Sequence, residues 1–581
     1  MRNTEVARIL ERIADLYEIK GENAHRVLAY RTAASHIENL AESLEEIAKT
    51  GDLKQIPGIG ESIAQKIQDI LSTGTTPTYD ELKAEFPEGL IDVIAVPGIG
   101  PKTAKLLYEK LGVSSLQDLE QAARDHRIQN VSGIGPKTES KILRAIRIIH
   151  RQGKRMLLGT ALPLAEDLTT RLREDAPVEQ ISEAGSLRRR QETVGDIDIV
   201  IGTNNPNAVI HAFTHLPQVY EVIEEGDSMS SVLTRTGFRI DLRVASMDNY
   251  GAMLHHFTGS KFHNIKLREM ANARGLTISE YGIHRLDTNE LVISGRNEED
   301  IYGILGLPWI PPELREDKGE IAAAARNALP KLVEQQDIQG DLHVHTRWSD
   351  GSNTIEQMVE AARKRGYRYM AICDHTHHLK IAHGLSEHDL RKQMAEISRL
   401  NENLRDFRIL MGSEVDIRRD GTLDISHGLL RQLDIVVASI HQRFKLDREQ
   451  MTRRIVRAIE TGLVDILAHP TGRLINQRDP YDVDLERVFQ AAAAYSVALE
   501  INSYPDRLDL NDTYARVAKE KGIKLVINTD AHNTGELANI RYGLAMARRG
   551  WLEPSDIINT WNLEDLLTWL QHRRAHPAFP P

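Results

Sequence analysis

The 581-residue sequence has a single cysteine, Cys373. That excludes an intramolecular disulfide framework and thiolate-based zinc sites, and it fits a reducing compartment. Aromatic residues are scarce at 5%. No uninterrupted apolar run reaches the about 20 residues that a bilayer-spanning helix needs. Charged residues interrupt the apolar positions of the opening MRNTEVARILERIADLY, so no signal peptide is expected there. The expectation is a soluble cytoplasmic protein with no membrane partner. A positive charge balance is lacking too: 73 Lys and Arg face 84 Asp and Glu, a formal −11. By itself that argues against a nucleic-acid partner, but charge acts by patch rather than by sum. The 41% of hydrophobic residues is enough for globular folding, and the length predicts three or more domains. Any bound metal must be held by His, Asp and Glu.

Residues 1–150 read as almost entirely helical, with apolar residues such as Val6, Ile9, Leu10 and Ile13 at three- and four-residue spacing. Three glycine hairpins punctuate them: Ile56-Pro-Gly58-Ile-Gly60, Val96-Pro-Gly98-Ile-Gly100 and Val131-Ser-Gly133-Ile-Gly135. Each precedes a helix, so its glycines allow a tight turn and bring backbone N–H groups to a helix N-terminus, where a phosphate binds readily. Such elements grip the DNA backbone without reading sequence. Two hairpins continue as Gly-Pro-Lys-Thr and supply Lys102 and Lys137. Residues 101–160 carry 12 Lys and Arg against five acids, a local +7.

Mixed strand and helix follow. In Gly195-Asp196-Ile-Asp198-Ile-Val-Ile201 the isoleucines face one way, so strand geometry puts Asp196 and Asp198 together on the other face. Asp241 projects from the polar face of a second strand, between Arg239 and Arg243. Upstream lies Gly185-Ser186-Leu-Arg-Arg189-Arg, small residues and guanidiniums suited to phosphate. Three carboxylates on adjacent strands beside such a turn are what two-metal phosphoryl transfer needs.

Gly185-Ser186 followed by Gly195-Asp196-Ile-Asp198, then His256-Phe257-Thr-Gly259-Ser260 and Asn264, resembles the signature of family X DNA polymerases, with their polymerase beta-like nucleotidyltransferase core. The resemblance implies that Asp196 and Asp198 bind both metals, and that Asp241 binds the catalytic ion and helps activate the primer 3′-hydroxyl. It implies that Gly185, Ser186, Arg189 and Gly195 hold the incoming triphosphate. Phe257 and Gly259 would pack on its sugar and base, Asn264 would reach the base, and Arg268 the template. His256 stands where the vertebrate repair polymerase beta has a tyrosine. Lys66 matches the family's Schiff-base lysine for 5′-deoxyribose phosphate removal, while Ser62 replaces a family lysine expected to bind the 5′-phosphate.

The last part is rich in histidine: 13 of 23 lie in residues 341–581. Polar residues close apolar strands at 345, 375, 414, 441, 469, 500 and 530, at intervals of 30, 39, 27, 28, 31 and 30 residues. That rhythm is one βα unit per step and predicts seven parallel strands, with function at their C-terminal ends. Nine ligand-type residues would then converge: His343, His345, Asp350, His375, Glu414, His441, His469, Asp530 and His532. Imidazole and carboxylate without thiolate suit zinc, manganese or iron, and nine ligands require more than one ion. Clustered metals activate water, so phosphoester hydrolysis is the expected chemistry. The pattern resembles the PHP (polymerase and histidinol phosphatase) domain with all nine ligands present. That resemblance implies 3′–5′ exonuclease activity, or abasic-site endonuclease or 3′-end phosphatase activity, and favours manganese.

Together these features are identified as a bacterial/archaeal-type family X polymerase with a C-terminal PHP domain. The expected architecture is a helical lyase-like domain (1–80), a second helix-hairpin-helix subdomain (81–156), an α+β palm (157–257), a nucleotide- and template-binding subdomain (258–315), a linker (316–338) and an α/β PHP barrel (339–575). Expected cofactors are Mg²⁺ or Mn²⁺ at the polymerase site and two to three Mn²⁺, Zn²⁺ or iron ions in the barrel. Expected partners are gapped or primed double-stranded DNA and dNTPs, with a location at the nucleoid. An alternative is a metallophosphoesterase whose polymerase half has decayed into a DNA-holding module.

Overall fold

The computed structural model describes residues 3–575 apart from 39, 41–43, 51, 57, 95, 97–98, 132–134, 136–137, 140–141, 144–145 and 147–154. The chain divides into two compact units, Met1–Lys154 and Arg155–Pro581. Among the described residues no helix is long and apolar enough to cross a membrane.

The first unit is helical. Val6, Leu10, Ile13 and Tyr17 on helix Asn3–Lys20 are buried together with Val27, Tyr30, Ala34 and Ile37 on helix Ala24–Glu38. Each buried aliphatic side chain contributes about 1.5–3 kcal/mol. In the first hairpin Gly58 turns at φ +80°, a conformation that favours glycine. Gly60 and Gly100 then start helices Glu61–Thr73 and Pro101–Leu111, neither with a side-chain cap. A Cβ added at Gly60, Gly100 or Gly135 would meet nothing within 4 Å, so these turns present bare backbone. Lys102 is exposed on the first turn of its helix. Gly98, Gly133 and Lys137 lie outside the described residues.

In the second unit a five-stranded mixed sheet has the order Gln180–Glu183, Ile197–Gly202, Arg239–Ala245, Met229–Thr234, Val219–Glu225. Ile197, Ile199 and Ile201 are fully buried and pack beneath helix Leu158–Asp175, which turns the intervening Asp198 to the other face. Helices Tyr250–Thr258 and Lys261–Asn272, a three-stranded antiparallel sheet (Leu276–Ser279, Gly282–Arg285, Leu291–Ile293) and helix Glu298–Ile304 follow.

This subdomain is built around a buried ion cluster. Glu298 accepts from both Nη atoms of Arg315 (2.6 and 3.1 Å), both Nη atoms of Arg188 (2.8 Å each) and Trp309 Nε1 (2.9 Å). Burial alone would raise the Glu298 pKa, but Arg315 and Arg188 hold it well below the usual carboxylate range. Glu298→Ala would strand the fully buried Arg315, and we expect it to cost about 3–5 kcal/mol in denaturant unfolding at pH 7. The pH dependence follows from a folded pKa that is depressed. The stabilisation is complete above the unfolded value of about 4.3 and is lost as pH falls through the folded one, a loss the variant should not show.

Residues 316–338 pack against the barrel. They contain the short helix Glu320–Ala325 and dock on the barrel through Lys318 Nζ to Asp512 (3.4 Å) and Val333 N to Leu552 O (3.0 Å). The barrel strands, all parallel and in sequence order, are Gly340–Val344, Tyr369–Ile372, Arg408–Asp416, Ile435–Ser439, Ile466–Leu467, Ala498–Asn502 and Leu525–Asn528. The first strand meets the segment just after the last through a parallel bridge, Val344 to Ala531. Palm and barrel are joined by Arg473 to Glu192 (2.6 Å), Arg541 to Glu166 (3.0 Å) and Asn476 Nδ2 to Arg155 O (3.2 Å).

Candidate active sites

The palm site starts from strand register. Ile197–Gly202 runs parallel to Arg239–Ala245, with Asp198 directly opposite Asp241, and Asp196 immediately precedes the first strand. One carboxylate oxygen from each of the three lies within 4.8 Å of the others. Asp241 Oδ1 accepts from Ser231 Oγ (2.5 Å) and Arg239 Nε (2.7 Å), which fix that side chain. Burial and then the neighbouring Asp196 and Asp241 push the Asp198 pKa up to about 7. Asp196 is raised by burial and by Asp241. Carboxylates crowded this closely repel one another, and divalent cations are the natural counter-charge.

Gly185 makes this crowding possible. It has φ +60°, and a Cβ there would come within 2.1 Å of Asp198 Oδ2. We therefore expect Gly185→Ala to displace that carboxylate and slow nucleotide insertion by about 100-fold, the cost of an ångström-scale misplacement. Single-turnover insertion rates, with circular dichroism to confirm folding, check this.

Gly185–Arg188 forms a helical turn, with Ser186 half-buried on it. A Cβ on Gly195 would lie 3.4 Å from Arg155 Nη1. Arg189, Phe257, Gly259, Asn264 and Arg268, with His256 and Lys261, line a cleft of about 430 Å³. Asn264 Nδ2 donates to His256 O (2.9 Å), and its buried Oδ1 has no hydrogen bond. Arg268 Nε donates to Ile278 O (3.3 Å), and Arg243 lies over the Phe257 ring. In the first unit the Lys66 ammonium donates to Ser62 Oγ (3.1 Å) and Ser62 O (3.3 Å).

In the barrel eight of the nine predicted residues lie at or just after C-terminal strand ends, and Asp350 lies on the loop that follows the first strand. Eight of the nine form three ligand groups: His345, Asp350, His375 and His532; His343, His345 and Asp530; and His375, Glu414 and His441. His345 and His375 each belong to two groups, so the clusters are contiguous. His469 Nε2 approaches Glu414 Oε1 at 3.1 Å. Glu414 is the hub: His375 Nδ1 lies at 2.8 Å, His441 Nε2 at 3.3 Å, His343 Nε2 at 3.5 Å and His345 Nε2 at 3.7 Å. His469 and Asp530 both have left-handed backbone (φ +28° and +55°), strain of the kind that gathers at functional sites.

Polar atoms buried here without a hydrogen bond include His343 Nε2, His345 Nδ1 and Asp416 Oδ2. Burying unpaired groups is costly, and imidazole nitrogens and carboxylates converging on one space suit divalent metals. Burial depresses His441, but Glu414 and Asp416 override it and lift the pKa to about 10. The pKa of His345 is brought down to about 3 by burial and by its neighbours His532 and His375.

Three residues outside the expected set hold the ligands. Glu500 Oε1 pairs with His343 Nδ1 (2.7 Å), and Asp416 Oδ1 with His441 Nδ1 (3.1 Å). Asp374 accepts from Thr346 Oγ1 (2.6 Å), Ser349 Oγ (2.5 Å) and Gln393 (2.6 Å), which ties down the loop bearing Asp350. Such outer partners fix ligand orientation. Two of them were visible as neighbours of ligands, Asp374 beside His375 and Asp416 two residues after Glu414.

Comparison with known families places a helix-hairpin-helix domain at residues 1–76 and a SAM-like helix-hairpin-helix tandem at 90–147. A DNA polymerase beta thumb matches 253–316 and a PHP domain 341–504. The DNA polymerase/3′-5′ exonuclease PolX of Bacillus subtilis (strain 168) is 40% identical over 573 residues, 98% of this chain and 100% of that protein. The chain belongs to the PolX family. Further relatives of this PolX member are the DNA polymerase lambda of Arabidopsis thaliana and a probable phosphatase of Thermoanaerobacter sp. (strain X514). The first is 26% identical over 348 residues, covering 54% of this chain and 62% of that protein. The second is 29% identical over 231 residues, covering 38% of this chain and 89% of that protein. Membership in a family X polymerase group with thumb and PHP modules implies divalent metals, DNA and dNTPs, in keeping with both ligand clusters.

Proposed function

We propose that this PolX member fills short gaps in double-stranded DNA during repair and trims 3′ ends in its barrel, in the cytoplasm at the nucleoid. The observation that carries the polymerase reading is the convergence of Asp196, Asp198 and Asp241 within 4.8 Å, one strand away from a glycine that must stay small. Mg²⁺ or Mn²⁺, held by these three carboxylates, supplies charge neutralisation at the reacting phosphate and eases loss of the primer hydroxyl proton. Ser231 and Arg239 keep Asp241 aimed at that hydroxyl. Gly185, Ser186, Arg189 and Gly195 take the triphosphate. Phe257 and Gly259 pack on the sugar and base, Asn264 meets the base, and Arg268 the template. Gly58, Gly60, Gly98, Gly100, Lys102, Gly133, Gly135 and Lys137 hold the DNA backbone, and Lys66 serves as the lyase nucleophile.

In the barrel the nine ligands hold two or three ions, Mn²⁺, Zn²⁺ or iron, for 3′–5′ hydrolysis, with abasic-site cleavage or 3′-phosphate removal as further outlets of the same chemistry. The unpaired buried nitrogens and carboxylates support that reading. The test is incubation with one-nucleotide-gapped, end-labelled DNA, dNTPs and Mg²⁺ or Mn²⁺. Extension by one nucleotide and, without dNTPs, shortening of the 3′ end are expected. Shortening without any extension would leave only the phosphoesterase alternative.

A further inference from the structure

The palm's Arg189 is held by a residue 360 positions further along the chain. Arg549 closes helix Ile540–Arg549 of the barrel and is buried, with 4% of its side chain exposed. Its Nη1 donates to the main-chain oxygen of Arg189 (2.7 Å) and to Glu316 Oε1 (2.9 Å). Its Nη2 donates to Asp512 Oδ2 (2.9 Å), which also receives Lys318 Nζ (3.4 Å). The same Glu316 oxygen accepts from Arg189 Nε (3.0 Å) and Gln191 Nε2 (2.5 Å). Arg549 thus fixes both the backbone and, through Glu316, the side chain of one residue.

What remains free on Arg189 is informative. Nη1 donates to Thr258 O (2.5 Å) and Nε to Glu316, while Nη2 donates to no protein group among the described residues. Arg189 lines the 430 Å³ cleft with Gly259 and Lys261, so its unspent donor belongs to a guanidinium already fixed in place beside that space. A planar guanidinium held through Nε and Nη1 is preorganised to offer Nη2 to a phosphate, with little rotamer entropy left to lose.

We propose that Arg549 is a positioning residue for polymerisation, by which the barrel aims the Arg189 guanidinium at the phosphates of the incoming nucleoside triphosphate. The proposal rests on the reading of Arg189 as a triphosphate ligand. Only the barrel contributes Arg549 and Asp512, so the affinity of the polymerase for its nucleotide depends on the module carrying the other active site.

The experiment is steady-state single-nucleotide insertion on gapped DNA by the full-length protein. It compares wild type with Arg549→Leu, Arg549→Lys, Glu316→Gln, Arg189→Ala and the double variant Arg189→Ala/Arg549→Leu. Arg549→Leu and Glu316→Gln are expected to raise the dNTP KM about tenfold, with kcat within about twofold and 3′ shortening unchanged, as loss of a charge-assisted hydrogen bond at a binding group predicts. Arg549→Lys, which cannot span three acceptors, should raise KM less. The double variant should be no worse than Arg189→Ala alone, the non-additivity of residues acting through one another. An unchanged KM in Arg549→Lys and Glu316→Gln, with Arg189→Ala raising it, would overturn the relay even if Arg549→Leu fails to fold. A KM unmoved by Arg189→Ala would overturn the ligand reading and the proposal with it. A purely structural brace would instead lower kcat and 3′ shortening together.

Discussion

Asp196→Ala/Asp198→Ala is expected to abolish nucleotide insertion, by about three orders of magnitude or more, and to leave 3′ shortening at the wild-type rate. Removing both carboxylates leaves Asp241 alone where three converged, so no divalent pair can be held. The several kcal/mol that metals contribute to transition-state charge stabilisation is then lost. The fold should not suffer, because each aspartate is held in a like-charged cluster in which burial and repulsion raise the pKa of Asp198 to about 7. The expectation is thus an unchanged or slightly higher Tm in metal-free buffer together with a dead polymerase. Single-turnover insertion and thermal unfolding measured on the same preparation test both halves. Insertion surviving in the variant would remove the polymerase assignment. A Tm lowered by several degrees would mean that the carboxylates support the fold.

Glu414→Gln should produce the mirror image. This carboxylate faces five histidines, His343, His345, His375, His441 and His469, at 2.8–3.7 Å. Glutamine keeps the shape but removes the charge and turns an N–H₂ toward imidazoles that must present lone pairs to metal. We expect 3′ shortening to fall about a thousandfold or more, the bound metal per chain to drop by at least one ion in elemental analysis, and insertion to continue. Because the groups share His345 and His375, vacating one position should weaken the neighbouring ones. A full metal complement with normal 3′ shortening would refute the hub role.

What could be read from sequence was whatever repeats or alternates. A polar residue closes each of the seven strands because each strand ends at the same mouth, so the seven-stranded barrel and the gathering of His, Asp and Glu side chains at its mouth were legible. Alternation of Ile197, Ile199 and Ile201 turned Asp198 outward, although the structure begins that strand at Ile197 and leaves Asp196 on the preceding turn. Contacts created only by tertiary packing were not legible. The carboxylate that orients His343 lies 157 residues away in sequence, at Glu500. The steric demand on Gly185 appears only once Asp198 faces it, and nothing local marks Arg549 as a partner of Arg189. Segment 316–338 reads as spacer because its charges and alanines, with Pro330 and the prolines just before it, resemble those of loops. Its role in joining thumb to barrel depends on Asp512 and Leu552, almost 200 residues or more downstream.

The bridge between the first barrel strand and the segment just after the last sets an order of assembly. His345 N donates to Ala531 O (2.9 Å) and Asp530 N to His343 O (3.1 Å), so the strand bearing His343 and His345 gains these main-chain partners only when residues 530–531 arrive. The strands between them add locally, one βα unit at a time, whereas this closure spans nearly the whole domain and is the step with the largest loop entropy. A chain still on the ribosome, or one cut short before residue 530, therefore presents an open sheet with two bare edges, the kind of surface that recruits other chains. The segment that brings residues 530–532 to the first strand continues into helix Ile540–Arg549, so the same stretch of chain closes the barrel, adds Asp530 and His532 to the ligand cluster and carries Arg549 to Arg189.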